Sequence, residues 1–250
     1  MREKVVIIAD LFILQPMKNV VLASTSTLHG ETYLSYLLPV MKELFAGITE
    51  VIFVPYARPG GISHDEYTEK AATVFAAAGY KLRGLHTFEE PAAAIRDAQA
   101  FFTGGGNTFL LVKQLHELGL MELLGAAVEQ GTPYLGTSAG SNIGGVNMQT
   151  TNDMPIVYPP SFQTMGLIPF NLNPHYLDPI PGLPHMGESR ETRIREFQVQ
   201  QDLPVVGLRE GSWIRIKDKR VTLEGALSAK IFEKDKEAYE VEVGAELTFG

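Results

Sequence analysis

One short segment places a serine where it could act as a nucleophile. Residues 136–140 read Gly-Thr-Ser-Ala-Gly, at the end of a predicted strand and before a predicted helix. In that setting a GxSxG segment is typical of a nucleophile elbow, because the glycines let the backbone bend sharply and expose the hydroxyl. The start of the next helix favours negative charge nearby. The segment therefore predicts acyl transfer at Ser138, and a glycine-rich turn that happens to contain serine is the alternative.

A second glycine-rich segment follows another predicted strand. Residues 104–108 read Gly-Gly-Gly-Asn-Thr and open a helix. They lack the Gly-Lys-Ser/Thr of a P-loop and the GxGxxG spacing of a dinucleotide site. The uncovered N–H groups of Gly105 and Gly106, with that of Ala139, are predicted to hold the oxyanion formed when Ser138 attacks a carbonyl. The alternative is a tight turn without chemistry.

A serine nucleophile needs a base, and the chain has six histidines. His175 lies in Asn-Pro-His-Tyr, which we interpret as a rigid loop where Pro174 fixes the approach of the chain. His185, in a nearby loop rich in proline and glycine, cannot be separated from it by spacing alone. Metal binding and cofactors are not predicted, because the chain has no His-Glu-x-x-His and no cysteine.

Two acids are candidates for the carboxylate that orients the imidazole and stabilises its protonated form. Asp153 lies in Asn-Asp-Met-Pro, and Glu210 comes just after a predicted strand over 205–208. Strand ends are where functional side chains of an open α/β sheet belong. Either acid alone would also suit an ordinary exposed turn.

The elements that must position these residues alternate along the chain. Short apolar runs alternate with segments of helical periodicity, which predicts an α/β fold with a mostly parallel, doubly wound sheet and helices on both faces. The predicted strands cover 20–23, 51–54, 82–85, 100–103 and 134–137, and the predicted helices cover 67–78, 108–118 and 121–130. After about residue 145 the strands are shorter, at 205–208, 213–216 and 230–232.

Composition limits the classes of protein. The 250 residues are 45% hydrophobic, enough for one domain, predicted over 19–250 after an extension at 1–18. The net charge of −8 argues against nucleic acid as a partner. Since no run of about 18 apolar residues occurs, no membrane span is predicted. The apolar stretch at 5–14 contains Asp10 and is not followed by a cleavage signal, so we expect a cytoplasmic protein.

Several blocks, in order along the chain, give a family resemblance. The sequence resembles the peptidase E, or α-aspartyl dipeptidase, family over about residues 19–232. One departure is Thr137, where the resemblance leads us to expect tryptophan. The matching blocks are Ser24 to Leu28, Asp65 to Thr68, Gly104 to Phe109, Ser138 to Gly140, Thr150 to Val157, Asn173 to His175, Gly187 to Arg190 and Glu210 to Trp213.

The resemblance implies a fold like that of the class I glutamine amidotransferases, a flavodoxin-like sheet whose elbow carries serine in place of cysteine. It implies hydrolysis of dipeptides with an N-terminal aspartate, without metal or cofactor. Ser138 would be the nucleophile and His175 its base. For the third member the resemblance points to both Glu210 and Asp153. We favour Glu210 because it lies at a strand end, which leaves Asp153 to bind the free α-amino group of the substrate.

An aspartyl substrate also needs a cation for its side chain. Arginine fits best because its planar fork holds a carboxylate through two hydrogen bonds. Arg190, in the Gly-Glu-Ser-Arg block, is our candidate, and the alternative is a helix surface on which arginines pair with Glu191 and Glu196.

Other functions are also compatible with these residues. They are a cyanophycinase-like peptidase acting on β-aspartyl-arginine, a general esterase, and a protein that only binds a small acidic metabolite. The expected partners are small peptide substrates, and the sequence leaves the choice between a monomer and a homodimer open.

Overall fold

The computed structural model describes residues 17–179 and 187–249 of the chain. The second histidine candidate, His185, and the first 16 residues of the predicted extension lie outside the described residues. The helices and strands are β1 Asn19–Ala23, α1 Leu38–Leu44, β2 Glu50–Val54, α2 His64–Ala77, β3 Lys81–Gly84, α3 Pro91–Arg96, β4 Phe101–Thr103, α4 Thr108–Glu117, α5 Met121–Glu129, β5 Tyr134–Thr137, α6 Ala139–Asn142, β6 Asn171–Pro174, α7 Arg190–Gln200, β7 Val205–Leu208, β8 Ser212–Lys217, β9 Arg220–Gly225, β10 Ala229–Phe232 and β11 Tyr239–Val241.

The main sheet has the strand order β3-β2-β4-β5-β1-β8-β9 within the described residues. Its first five strands are parallel, while β8 and β9 run antiparallel at one edge. The bounds of the five parallel strands agree with the predicted ones to within a residue. The predicted mostly parallel α/β sheet is therefore confirmed.

Both faces of the main sheet are covered, as a doubly wound fold requires. In β1, Val20 and Leu22 face one apolar cluster, whereas Val21 and Ala23 face another. This alternation follows from the period of two in a strand. The first cluster includes residues of α3, α4 and α5, and the second includes residues of α1 and α2. The packing of these helices on the two faces holds the carboxyl ends of the parallel strands in fixed positions.

Four of the shorter strands in the second half of the chain form a second sheet, with the order β11-β10-β7-β6. Strands β6 and β7 are parallel to each other, whereas the other pairs are antiparallel. Asn173 and Pro174 were predicted as the start of a rigid loop that contains His175, but they are the last two residues of strand β6, Asn171–Pro174. The structure tolerates Pro174 there because β6 is an edge strand, where a missing N–H breaks no hydrogen bond between central strands.

The chain joins the fold before β1. Lys18 Nζ donates hydrogen bonds to Glu129 Oε1 at 2.8 Å and to the Leu167 carbonyl at 3.1 Å. Lys18 therefore contacts the domain, although the sequence assigns it to the extension. Across the part of the chain that the structure describes, no helix is both long and apolar enough to span a membrane.

Candidate active site

Ser138 occupies the turn between β5 and α6, at the carboxyl edge of the main sheet. Its backbone has φ 54° and ψ −112°, a conformation that residues with a side chain rarely adopt. The Ser138 N–H donates to the Ala23 carbonyl at 3.1 Å, which ties the turn to the end of β1. The serine thus sits in the strand–turn–helix setting that the sequence predicted.

The glycines of the elbow allow a close approach of backbone segments. A Cβ atom on Gly136 would lie 2.5 Å from the Gly140 carbonyl oxygen. A Cβ atom on Gly140 would lie 2.2 Å from the Thr103 carbonyl oxygen at the end of β4. Neither position accepts a side chain without a backbone shift. Thr137, the departure from the family resemblance, is fully buried beside the serine.

His175 follows β6 directly, and its Nε2 lies 3.0 Å from Ser138 Oγ. Its backbone is also left-handed, with φ 55°. The His175 N–H donates to Ser24 Oγ at 2.8 Å, and the Ser24 hydroxyl donates to the Leu208 carbonyl at 2.8 Å. Ser24 follows β1 of the main sheet, so its hydroxyl links the two sheets at the imidazole.

Glu210 lies just past β7, the strand next to β6, and its Oε1 is 2.6 Å from His175 Nδ1. Because an ionised carboxylate only accepts hydrogen bonds, we assign the ring proton to Nδ1. Nε2 is then free to accept the Ser138 hydroxyl proton. The structure therefore joins a serine, an imidazole and a carboxylate in one hydrogen-bonded chain.

Asp153, the other candidate acid, makes no hydrogen bond to the imidazole and is held by other groups. Its Oδ2 accepts hydrogen bonds from the Thr108 N–H at 2.7 Å, the Thr108 hydroxyl at 2.6 Å and the Thr151 hydroxyl at 3.0 Å. Thr108 is the first residue of α4, where the helix dipole favours an anion. Of the two acids, the structure brings Glu210 and not Asp153 to His175.

The three predicted oxyanion donors lie around the serine. The N–H groups of Gly105, Gly106 and Ala139 donate no hydrogen bond to any described residue. A Cβ on Gly105 would lie 3.0 Å from Ser138 Cβ, so the backbone of the Gly104–Gly106 segment passes directly beside the nucleophile. Gly106 has φ 148°, and a Cβ there would lie 2.2 Å from the Ala57 carbonyl oxygen. Only glycine fits that position.

Arg190 is the first residue of α7, where Ser189 caps the helix by accepting from the Thr192 N–H at 3.1 Å. Burial lowers the pKa of Arg190, the neighbouring Arg193 lowers it further, and the Glu210 carboxylate opposes both. Within the described residues Arg190 makes no hydrogen bond or ion pair. The alternative, arginines paired with Glu191 and Glu196 on the helix surface, does not occur among the described residues. Glu191 pairs with Lys230 at 3.5 Å, and Arg193 pairs at 3.8 Å with Glu188, which precedes α7.

Two residues near the site were not singled out by the sequence. Ser24 belongs to a block that matches the family but has no predicted role, and Arg58 belongs to none of the matching blocks. Each comes soon after the carboxyl end of a parallel strand, β1 and β2 respectively. That position in the sequence was the available signal. Across the described part of the chain, no cluster of three or more histidine or acidic side chains could hold a metal ion.

A serine, an imidazole and a carboxylate joined in this order, on an elbow above a mostly parallel α/β sheet, define a serine hydrolase. The chain belongs to peptidase family S51, whose family model matches residues 20–224. It is a serine-type peptidase.

Individual relatives extend over nearly the whole chain. Peptidase E of Streptomyces coelicolor is 46% identical over 230 residues, which cover 92% of this chain and 93% of the relative. A protein of Drosophila melanogaster named probable alpha-aspartyl dipeptidase is 43% identical over 93% of this chain and 97% of its own.

Solved structures agree with the fold. A crystal structure of a peptidase E protein from Listeria monocytogenes, described as putative in its name, aligns with a TM-score of 0.64 at 23% identity, over 84% of this chain and 100% of that one. A peptidase from an acI-B1 Actinobacterium aligns with a TM-score of 0.69 at 16% identity, over 94% of this chain and 98% of that one. At these identities the likeness concerns the fold alone.

Proposed function

We propose that this protein is a serine dipeptidase that hydrolyses dipeptides with an N-terminal aspartate, through an acyl-enzyme on Ser138. The observation that carries the proposal is the hydrogen-bonded chain from Ser138 through His175 to Glu210, with spacings of 3.0 and 2.6 Å. The substrate class is supported by the relative named probable alpha-aspartyl dipeptidase, at 43% identity.

In the acylation step, Ser138 Oγ attacks the peptide carbonyl while His175 Nε2 takes the hydroxyl proton. Glu210 holds the ring and stabilises the imidazolium that forms. We assign the stabilisation of the negative oxygen of the tetrahedral intermediate to the N–H groups of Gly105, Gly106 and Ala139. His175 then gives its proton to the leaving amine, and the peptide bond breaks.

In the deacylation step, water replaces the leaving amine. His175 removes a proton from that water, whose oxygen attacks the aspartyl ester on Ser138. Collapse of the second tetrahedral intermediate releases aspartate, and the proton returns to the serine oxygen.

Substrate recognition is assigned to charged groups outside the hydrogen-bonded chain. Arg190 is half-buried and makes no hydrogen bond or ion pair to a described residue, which suits a cation that binds the aspartate side chain. Asp153 uses Oδ2 for Thr108 and Thr151, whereas its Oδ1 makes no hydrogen bond within the described residues. We assign Oδ1 to the free α-amino group.

The test is hydrolysis by the purified protein, with Ser138→Ala as its control. The substrates are Asp-Leu, Glu-Leu, Leu-Asp, N-acetyl-Asp-Leu and a β-aspartyl dipeptide, and the readout is released amino acid. We expect rapid cleavage of Asp-Leu alone and none by the control. Cleavage of only the β-linked substrate would instead assign the protein to the cyanophycinase-like activity. Equal cleavage of N-acetyl-Asp-Leu would contradict the need for a free N-terminus and favour the esterase.

Three properties stay predictions. A cytoplasmic location, a domain boundary near residue 18 and a monomeric or homodimeric state are compatible with the described residues, but they rest on the sequence.

A further inference from the structure

Arg58 lies in the loop after β2, at the edge of the main sheet where the carboxyl ends of the parallel strands meet and where Ser138 also lies. Strand β4 alone separates β2 from β5, which ends at the nucleophile. Neighbouring strands are about 4.8 Å apart, so the ends of β2 and β5 lie about 10 Å apart. His175 is attached on the other side of β5, through Ser24 after β1. Arg58 and His175 therefore flank the serine from opposite sides.

Contacts link Arg58 to the loop of Gly105 and Gly106, which carries two of the predicted oxyanion donors. Its guanidinium carbon lies 4.5 Å from the centroid of the Tyr67 ring. The Tyr67 hydroxyl donates to the Gly105 carbonyl at 3.0 Å, and Gly105 passes beside Ser138. The residue before Arg58, Ala57, accepts the Asn107 N–H at 2.7 Å through its carbonyl. Two independent contacts thus fix the arginine next to the glycines that surround the nucleophile.

Arg58 makes no hydrogen bond or ion pair with any described residue, and its Nε is buried without a partner. Arg58 is half-buried as a residue, and the buried Arg215 shows how an arginine usually satisfies its buried donors. Its guanidinium donates to the Val20 and Ile216 carbonyls and to Asn19 Oδ1. A buried donor without a partner is unfavourable and calls for an explanation. The stacking on Tyr67 satisfies none of the five N–H donors of Arg58.

We propose that Arg58 binds a carboxylate of the peptide substrate, as a second site besides Arg190. The inference rests on the proposed function, because an Asp-X dipeptide carries two carboxylates, one on the aspartate side chain and one at the C-terminus. Arg190 lies four residues before Ile194 on α7, and Ile194 shares an apolar cluster with Tyr176, the residue after His175, so Arg190 lies on the side of His175. Two cations on opposite sides of Ser138 match two carboxylates on one small substrate. The guanidinium fork of Arg58 would hold its carboxylate through two hydrogen bonds.

The experiment compares Arg58→Met with a matched control. Arg83→Met also removes a guanidinium that stacks on an aromatic ring, that of Phe88 at 3.8 Å, but Arg83 lies on the edge strand β3. KM and kcat are measured for Asp-Leu, and unfolding midpoints are recorded for every protein. We expect Arg58→Met to raise KM by about ten- to a hundredfold, the range for a hydrogen bond to a charged group. Arg83→Met is expected to leave KM unchanged.

Two further substrates identify the carboxylate. If Arg58→Met and the wild type show the same KM for Asp-leucinamide, Arg58 binds the C-terminal carboxylate. If Asp-leucinamide shows the full increase and Asn-Leu shows none, Arg58 binds the aspartate side chain. Equal KM values for wild type and Arg58→Met on all three substrates would overturn the proposal.

A final variant separates binding from folding. Arg58→Lys keeps the charge and the aliphatic stem but loses the fork, so we expect a KM for Asp-Leu between those of wild type and Arg58→Met. This variant tests the proposal even if Arg58→Met does not fold, since an unchanged KM for Asp-Leu in Arg58→Lys would then count against the site. Failure of the proposed function is distinct, because the wild type itself would then not cleave Asp-Leu.

Discussion

Glu210 and Asp153 are both carboxylates at the candidate site, but their surroundings give them different chemistry. Glu210 is exposed, and its one described side-chain hydrogen bond goes to the imidazole of His175. Asp153 accepts three hydrogen bonds through one oxygen, two of them from Thr108 at the start of α4. We therefore expect loss of the Glu210 charge to slow proton transfer by His175, and loss of the Asp153 charge to weaken substrate binding.

Paired substitutions test this division. We expect Glu210→Gln to lower kcat by about a thousandfold or more, because an amide stabilises the imidazolium poorly and favours the wrong ring tautomer. We expect Asp153→Asn to raise KM for Asp-Leu by about tenfold with a smaller effect on kcat. Steady-state kinetics of both variants provide the measurement. Full turnover in Glu210→Gln, together with its loss in Asp153→Asn, would mean that the two roles are reversed.

At the scale of elements, the loops after β6 and β7 carry His175 and Glu210, and Arg209 holds them together. Its guanidinium donates to Asp178 Oδ2 at 2.5 Å and to both oxygens of Glu240 at 2.8 Å. Asp178 lies three residues beyond His175, and Glu240 lies on β11. One arginine thus connects three segments of the second sheet beside the imidazole–carboxylate pair.

The pKa values of the two carboxyl groups reflect this arginine. Hydrogen bonding from Arg209 lowers the pKa of Glu240 below its usual value. For Asp178, burial acts to raise the pKa, but hydrogen bonds from Arg209 and Lys230 outweigh it and the pKa is lowered. Groups with a lower pKa in the folded state stabilise it above their unfolded pKa of about 4, and that stabilisation is lost as the pH falls through the folded value.

Arg209→Met is therefore expected to be destabilising in a pH-dependent way. At pH 7 we expect a loss of about 1 to 2 kcal/mol in the free energy of unfolding, since both carboxylates are half-exposed and screened by water. The difference from wild type should narrow as the pH falls below about 4. Urea unfolding between pH 3 and 8 measures it. Lys236→Met, which removes a surface pair with Glu233, is the control and should change little. A difference independent of pH would contradict this account.

Sequence patterns predicted the elements of the main sheet better than those of the second. Buried parallel strands form continuous apolar runs, so β1 to β5 are visible in the sequence. Strand β6 contains two asparagines and Pro174, which are typical of a loop. Its strand conformation depends on pairing with β7, whose paired residues lie 34 positions further along the chain, so this pairing is not visible in the local sequence. Because that pairing is not visible locally, the sequence favours Glu210 over Asp153 only through its position at a strand end.

At the scale of the whole molecule, the candidate site is divided between the two sheets. Ser138 belongs to the main sheet, whereas His175 and Glu210 follow strands of the second. The distance of Ser138 from His175 and Glu210 depends on how the two sheets are connected. The fully buried Ser24 provides one connection, since its hydroxyl accepts from the His175 N–H and donates to the Leu208 carbonyl. Precise placement matters, because a misplacement of about 1 Å can cost about a hundredfold in rate.

Ser24→Ala should therefore impair catalysis more than stability. Loss of the hydroxyl leaves the His175 N–H without its partner, whereas the Leu208 carbonyl still accepts a hydrogen bond from the Tyr176 N–H at 3.1 Å. We expect a cost of about 1 to 3 kcal/mol in the free energy of unfolding. Because His175 loses an anchor, we expect kcat to fall by about tenfold or more.

Ser63→Ala, which removes the capping box of α2, provides the control. It should destabilise the protein by about 1 kcal/mol and leave kcat unchanged. Unfolding curves and kcat are measured for both variants. Equal kcat values in Ser24→Ala and wild type would show that the hydrogen bonds of the Ser24 hydroxyl do not position the imidazole.

The left-handed backbone at Ser138 and His175 limits how this sequence can evolve. A non-glycine residue in such a conformation costs about 1 to 3 kcal/mol, and glycine would remove most of that cost. Selection for thermostability alone would thus drive both positions toward glycine, whereas selection for turnover requires a hydroxyl and an imidazole there. A lineage released from the need to cleave peptides would gain stability by discarding its nucleophile and base first.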